Sequence, residues 1–193
     1  MAPNGTLVSE GSTAIPATNS DRLERARDAA AGVPDPEIPV VTLADLGILR
    51  AVTLEGERVV VQLTPTYTGC PATEVIADQV REALRQADVG AFEVRLTLSP
   101  AWTTDWITQA GRGKLRSFGI APPACAANGA GGEVAVVRLF PRAPGFDARP
   151  NAPDCPRCSS HLVERLSDYG STPCKALYRC LSCREPFDYF KPY

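Results

Sequence analysis

Two Cys-x-x-Cys pairs stand near the C-terminus, Cys155-Pro-Arg-Cys158 and Cys180-Leu-Ser-Cys183, with 21 residues between them. A knuckle of this spacing turns two thiolates onto one cation, and two knuckles complete a tetrahedral four-sulfur shell. Such a shell is closed to substrate, so a metal there is structural, and zinc is the expected ion. An iron or iron–sulfur site uses the same ligand set, and spacing alone leaves that alternative open. His161 follows the first knuckle and reads as a strand histidine. Cys174 is left over between the pairs. It is a spare ligand, a reactive thiol or a buried small side chain, the last being the commonest state of a free cysteine.

A second group of reactive types lies upstream. Cys70 immediately precedes Pro71 at an expected helix start. Free N–H groups and the positive end of a helix dipole there would favour the thiolate and lower the pKa of the thiol. Thr64, Thr66, Thr68 and Gly69 are expected to form a polar, mobile approach to it. Asp35 and Glu37 sit in Val33-Pro-Asp-Pro-Glu-Ile-Pro39, where three prolines forbid a regular helix or a central strand. A stiff loop holds its two carboxylates at low entropic cost, and they are expected to shape a pocket around Cys70. Carboxylates beside a thiol make a transient soft-metal site or a docking surface. Cys125, in a proline-flanked loop, has no helix dipole and is not expected to be a functional thiol.

Composition narrows the chemistry further. The chain has 193 residues, 7 cysteines, one histidine and a formal net charge of −2. An odd number of cysteines argues against a disulfide framework. A single histidine cannot supply the paired Glu-x-x-His motifs of a di-iron oxygenase. No basic excess is available to offset a nucleic-acid backbone, and residues 151–193 carry a formal balance of only +1. The aromatics Tyr178, Phe187, Tyr189, Phe190 and Tyr193 therefore read as ribbon packing or a protein contact. No apolar run reaches the roughly 20 residues of a membrane helix, and Met1-Ala-Pro-Asn-Gly-Thr6 lacks the features of a secretory signal. A cytoplasmic location is expected.

The elements that position these residues follow from periodicity. Residues 1–19 read as a disordered tail. Ser20 can cap a helix carrying Leu23, Ala26 and Ala30. Leu46–Leu54 and Arg58–Thr64 read as strands of a hairpin turning at Glu55-Gly56-Glu57. Ile76, Val80, Ala83, Leu84 and Ala87 recur at helical spacing after Pro71. Glu93–Leu98 alternates, with Val94, Leu96 and Leu98 expected inward. Thr103 or Thr104 then caps a helix with Trp106, Ile107, Ala110 and Leu115, which Gly111 and Gly113 weaken by about 1 kcal/mol each. Glu133–Phe140 reads as a last strand. The whole is a compact α+β domain, helices on a mixed sheet, over residues 20–140. A proline-rich linker at 141–153 leads to a unit at 154–193 that is too small for its own apolar core.

Family resemblance enters on particular residues. Asp35-Pro-Glu-Ile-Pro39, Leu46-Gly-Ile48 and Thr68-Gly-Cys-Pro71 resemble the small SufT-like domain of iron–sulfur assembly factors, over about residues 21–140. The segments Tyr169–Cys180 and Glu185–Lys191, with Trp102-Thr-Thr-Asp-Trp106 and Gly119–Pro123, are similar to the PaaD family of the phenylacetyl-CoA epoxidase system. The resemblance implies a SufT-like domain followed by a zinc ribbon, with functional positions at Cys70, Asp35 and Glu37 and metal ligands at Cys155, Cys158, Cys180 and Cys183. It implies an accessory, maturation role in aerobic phenylacetate catabolism, with a transient iron–sulfur cluster as cargo. The implied partners are the di-iron oxygenase and the flavin/iron–sulfur reductase of that system. An electron-transfer or docking role in the same complex is the alternative. The oligomeric state stays open, a homodimer included.

Overall fold

The computed structural model describes residues 18–67, 69–123 and 152–192. The expectations for the tail through residue 17, for Thr68 and Cys125, for the strand at 133–140 and for the linker up to residue 151 fall outside these residues.

Helix α1 spans Asn19–Ala31, and its cap is Thr18, not Ser20. The Thr18 hydroxyl accepts the Asp21 N–H at 3.2 Å while the Asp21 carboxylate accepts the Thr18 N–H at 2.9 Å. This reciprocal box satisfies two orphan donors. A cap at Ser20 would have Leu23 in the acidic position and satisfy only one.

Strands β1 (Leu49–Glu55) and β2 (Arg58–Leu63) pair antiparallel. Helix α2 (Thr73–Gln86) crosses over to β3 (Phe92–Leu96), which runs parallel to β2. The sheet order β1-β2-β3 makes β2 central. Val59, Val60 and Val61 are accordingly fully buried, so both faces of β2 are covered. Ala26 and Ala30 of α1 and Ile76, Val80 and Leu84 of α2 join this core.

The expectation that Leu96 and Leu98 point inward fails: they are 41% and 57% exposed, although Val94 packs on the core. Leu96 sits in the last pair of the ladder, opposite Leu63, and Leu98 lies beyond it, so both are at the end of the sheet.

The expected helix after Thr103 is two pieces. Thr103 caps a 3₁₀ turn, Thr104–Trp106, and Thr108 caps α3, Gln109–Phe118. Gly111 is required rather than merely tolerated. A Cβ there would lie 2.7 Å from the Asp45 carbonyl oxygen, so the glycine lets α3 press against the 45–47 turn. Gly47 answers from the other side, with φ +68° and Trp106 atoms 2.6 Å from where its Cβ would be. This close approach explains the Leu46-Gly-Ile48 motif physically.

Strand β4 (Ile120–Ala121) follows α3 and leaves the first sheet altogether. It pairs parallel with β7 (Pro186–Phe190), in a second sheet ordered β4-β7-β6-β5, where β5 is Val163–Ser167 and β6 is Lys175–Cys180. The C-terminal ribbon thus takes its fourth strand from the larger unit. Its small apolar cluster, including Val163, Tyr178, Phe187 and Tyr189, also takes in Ala121. In exchange Phe190 and Cys174 are buried in the core of the larger unit, where Phe190 meets Trp102 at a ring separation of 6.0 Å.

Candidate metal centre and thiol cavity

The ribbon site is built by two similar turns. Ser159 and Arg184, each directly after the second cysteine of a knuckle, adopt left-handed φ of 57° and 68°. That conformation folds each knuckle back on itself. The Ser159 N–H donates to the Cys155 carbonyl at 2.9 Å, and the Cys183 N–H donates to the Cys180 sulfur at 3.4 Å. The four sulfurs of Cys155, Cys158, Cys180 and Cys183 lie within 4.8 Å of one another. Cys155 and Cys183 sulfurs are 3.7 Å apart, and Cys158 and Cys180 sulfurs 3.5 Å. A disulfide would bring them to about 2 Å. Tetrahedral zinc with Zn–S bonds near 2.3 Å sets sulfurs about 3.8 Å apart, so the donor set fits a metal in a four-thiolate shell. Against the cost of burial, N–H groups of Cys183 and Ser182 hold the Cys180 thiol down to about 6. His161 stays out of this shell; it is exposed, precedes β5 and faces Asp154.

The second site lies where the ribbon meets the larger unit. One small cavity, about 20 Å³, is lined by Asp35, Glu37, Cys70 and Cys174 together with apolar walls that include Ile38, Ile76 and Phe190. That volume holds about one water-sized occupant. The structure therefore brings Asp35, Glu37 and Cys70 to one place, as the sequence led us to expect. It adds Cys174, which the sequence left without a position.

The acidic loop is ordered by its own backbone. Asp35 is 7% exposed, and its Oδ1 accepts the N–H groups of Glu37 at 2.9 Å and Ile38 at 2.8 Å. The Asp35 N–H donates to the Val41 carbonyl at 2.9 Å, and buried Ile38 anchors the loop tip. Burial pushes the Asp35 carboxyl above its ordinary value, with those N–H groups and the Lys175 charge acting against the shift. Asp35 thus spends one oxygen on the turn that aims Glu37. The Glu37 carboxylate is the one that reaches across, accepting from the Cys174 thiol at 3.8 Å.

The expectation of a thiol activated by a helix dipole is overturned. Helix α2 starts at Thr73, so Cys70 precedes even its capping residue, Ala72. Burial pushes the Cys70 thiol up, and Glu37 and Asp35 push it further, while the Ala72 N–H opposes them. The Cys174 thiol is raised too, by burial first and by the same carboxylates, against the Thr172 hydroxyl at 3.0 Å and Lys175. Of the residues expected to form a polar approach, Thr64 and Thr66 are buried, with Thr66 on the cavity wall, while Gly69 is exposed. The dipole effect falls off within a turn, whereas two carboxylates in a shared small cavity act at short range and low dielectric. The cavity thus sets two carboxyl groups beside two thiols whose pKa values are raised above the ordinary value.

Cys174 carried one signal in the sequence, its place in Ser171-Thr-Pro-Cys-Lys175 directly before a ribbon strand. Nothing in that signal tells which surface the strand will meet.

Among the described residues no helix is long and apolar enough to cross a membrane. Residues 144–191 match a family model described as the PaaD zinc beta ribbon domain, and residues 23–95 one described as an iron–sulfur cluster assembly protein. A protein of Escherichia coli (strain K12), named as one subunit of a "Putative 1,2-phenylacetyl-CoA epoxidase", is 49% identical over 82% of this chain and 86% of its own length. The Fe–S protein maturation auxiliary factor SufT of Staphylococcus aureus (strain USA300) is 34% identical over 39% of this chain and 86% of its own length. A solved Bacillus anthracis domain of unknown function, DUF59, aligns with 50% of this chain and 92% of its own at 24% identity and a TM-score of 0.45. The iron–sulfur assembly match covers Asp35, Glu37 and Cys70, the ribbon match covers all four knuckle cysteines and Cys174, and the long similarity to the Escherichia coli protein joins the two halves: the chain belongs to the PaaD family of phenylacetyl-CoA epoxidase subunits.

Proposed function

We propose that this chain is a non-catalytic accessory subunit that carries iron, or an iron–sulfur unit, to the metal centres of a phenylacetyl-CoA epoxidase in aerobic phenylacetate catabolism. It works in the cytoplasm, on the oxygenase or the reductase. The observation that carries the reading is the meeting of Cys70, Asp35 and Glu37 on one small cavity in the domain similar to iron–sulfur assembly proteins. Their chemistry suits transient metal handling. A thiol kept protonated by burial, with two carboxylates adding to it, is not consumed by adventitious electrophiles. An arriving cation compensates the carboxylates and releases the thiol proton, so metal affinity and deprotonation are linked. Cys70 supplies the soft ligand, Glu37 a hard one, and Asp35 holds the loop that presents Glu37.

In the same reading the ribbon metal is zinc, bound by Cys155, Cys158, Cys180 and Cys183. It is structural, because its four-thiolate shell has no open position. Elemental analysis of the full-length chain is expected to give one tightly held zinc; a redox-active iron in that site would make the ribbon an electron carrier instead.

The functional test is growth on phenylacetate of a strain whose only copy carries Cys70→Ser, combined with iron analysis of the oxygenase and reductase purified from it. Failure to grow, with iron-deficient clients, is the expected result. Normal growth would leave the domain as a docking module and overturn the cargo reading.

A further inference from the structure

The cavity has a thiol that neither the iron–sulfur assembly match nor the ribbon knuckles account for. Cys174 belongs to the ribbon, directly before β6, and yet it is only 6% exposed within the core of the larger unit. It is pinned at both ends. Its carbonyl accepts the Lys191 N–H at 3.0 Å, which ties the start of β6 to the end of β7, and its sulfur stands 3.8 Å from Glu37. Distant lines of chain therefore converge on one hole, among them the Asp35 loop, the turn before α2, the β6 start and, through Phe190, the β7 end.

We infer that Cys174 and Cys70 are paired thiolate ligands, with Glu37 as the oxygen ligand, of a binding site for one divalent transition-metal ion that exists only when the ribbon is docked. Two sulfurs and a carboxylate select a borderline ion such as ferrous iron over magnesium or calcium, which take oxygen shells. The cavity, of about 20 Å³, has room for one ion or one water as it stands. Among the described residues only the ribbon sulfurs converge within 4.8 Å, so an ion in the cavity has to draw its ligands in by side-chain rotation. This rests on the cargo reading above and sharpens it: the cargo at this site is a single ion, and the ribbon is half of its holder.

The test uses the full-length chain with its ribbon loaded with zinc and Co²⁺ as the probe, the zinc content being checked after each titration. Thiolate-to-cobalt charge transfer in the near ultraviolet reports sulfur ligation directly. The native chain is expected to take one Co²⁺ beyond its zinc. Cys174→Ala and Cys70→Ser are each expected to lose about half of the charge-transfer intensity and to weaken binding about tenfold or more, since loss of even an outer partner costs about 10–100-fold. Cys174→Ser and Cys174→Ala are compared by circular dichroism, and the alanine variant keeps a small apolar side chain at this buried position should serine disturb the fold. If Cys70→Ser alone loses the signal and both Cys174 variants keep it, the two-thiol site is wrong and the cargo reading stands. If neither residue matters to cobalt binding, both fall.

Discussion

The ribbon centre and the thiol cavity use the same element, cysteine sulfur, to opposite ends. In the ribbon, four sulfurs are held within 4.8 Å by two tight turns whose backbone conformations are set by residues next to the ligands. In the cavity, two thiols and two carboxylates come from segments far apart in sequence, and their atoms stay further apart. A prearranged, closed, all-sulfur shell binds tightly and does not exchange. A loosely arranged, mixed shell binds more weakly and lets go. The contrast teaches that in this chain local sequence assembles the four-sulfur cluster and tertiary packing assembles the mixed cavity. The two are also mechanically joined, because the strand that leaves the ribbon site ends at Phe190, against Trp102 and the cavity wall.

The strongest way to break this comparison is to remove the ribbon metal. Binding to such four-cysteine sites is worth about 10–16 kcal/mol, so a strong chelator or Cys180→Ala is expected to unfold the ribbon. Because β4, Phe190 and Cys174 span the junction, the near-ultraviolet dichroism of Trp102 in the larger unit is expected to change as well. An unchanged Trp102 signal would show that the two sites are independent.

Phe190→Ala tests the joint itself. Phe190 is 1% exposed, and its truncation is expected to cost about 3–5 kcal/mol in urea unfolding. Phe187→Ala, in the ribbon's own cluster, is the control, expected to leave cobalt binding in the cavity intact while Phe190→Ala weakens it. Equal effects of the two on the cavity would remove Phe190 from its role as a link.

Gly111→Ala probes the frame on which the cavity side rests. Its Cβ would meet the Asp45 carbonyl at 2.7 Å, and a loss of about 1–3 kcal/mol is expected. Gly113→Ala is the contrasting substitution, since nothing lies within 4 Å of its Cβ, and a gain of about 0.5–1 kcal/mol is expected by helix propensity. Chemical denaturation of both checks the pair, and a stabilised Gly111→Ala would contradict the packing described.

The smallest effect concerns acid stability at the same place. Burial raises the Asp45 carboxyl, but Lys114 at 2.6 Å and the Thr42 N–H at 2.9 Å outweigh it, and the net shift is downward. A carboxyl whose folded pKa is depressed adds stability that is fully present above its unfolded value. That stability is lost as pH falls from there through the lower folded value. Asp45→Asn is therefore expected to cost about 1 kcal/mol at neutral pH and to flatten the fall in stability in the acid range below the ordinary value of 3.8. An unchanged acid limb in urea titrations would dismiss the contribution.

The knuckles, the hairpin, α2 and the acidic loop were all legible in the sequence. Each is fixed within a few residues: a Cys-x-x-Cys turn, a Gly56-Glu57 turn between alternating strands, an apolar row at helical spacing, a proline-locked segment. That Asp35, Glu37 and Cys70 line one cavity was an expectation drawn from the proline-stiffened acidic loop, and the family resemblance pointed to the same three residues. Other features were not. Leu96 and Leu98 alternate like an inward face, but only the length of β2 decides where sheet cover ends. Gly111 looks like a weakness until the Asp45 carbonyl is placed against it. The Cys70 thiol looks activated by its helix until burial and two carboxylates outweigh the dipole. Cys174 looks surplus until the docking of the ribbon carries it into another unit's core. Short-range geometry and hydrophobic period are written along the chain. Register ends, close backbone approach, desolvation and the meeting of distant segments depend on what packs opposite, and only the tertiary structure decides them.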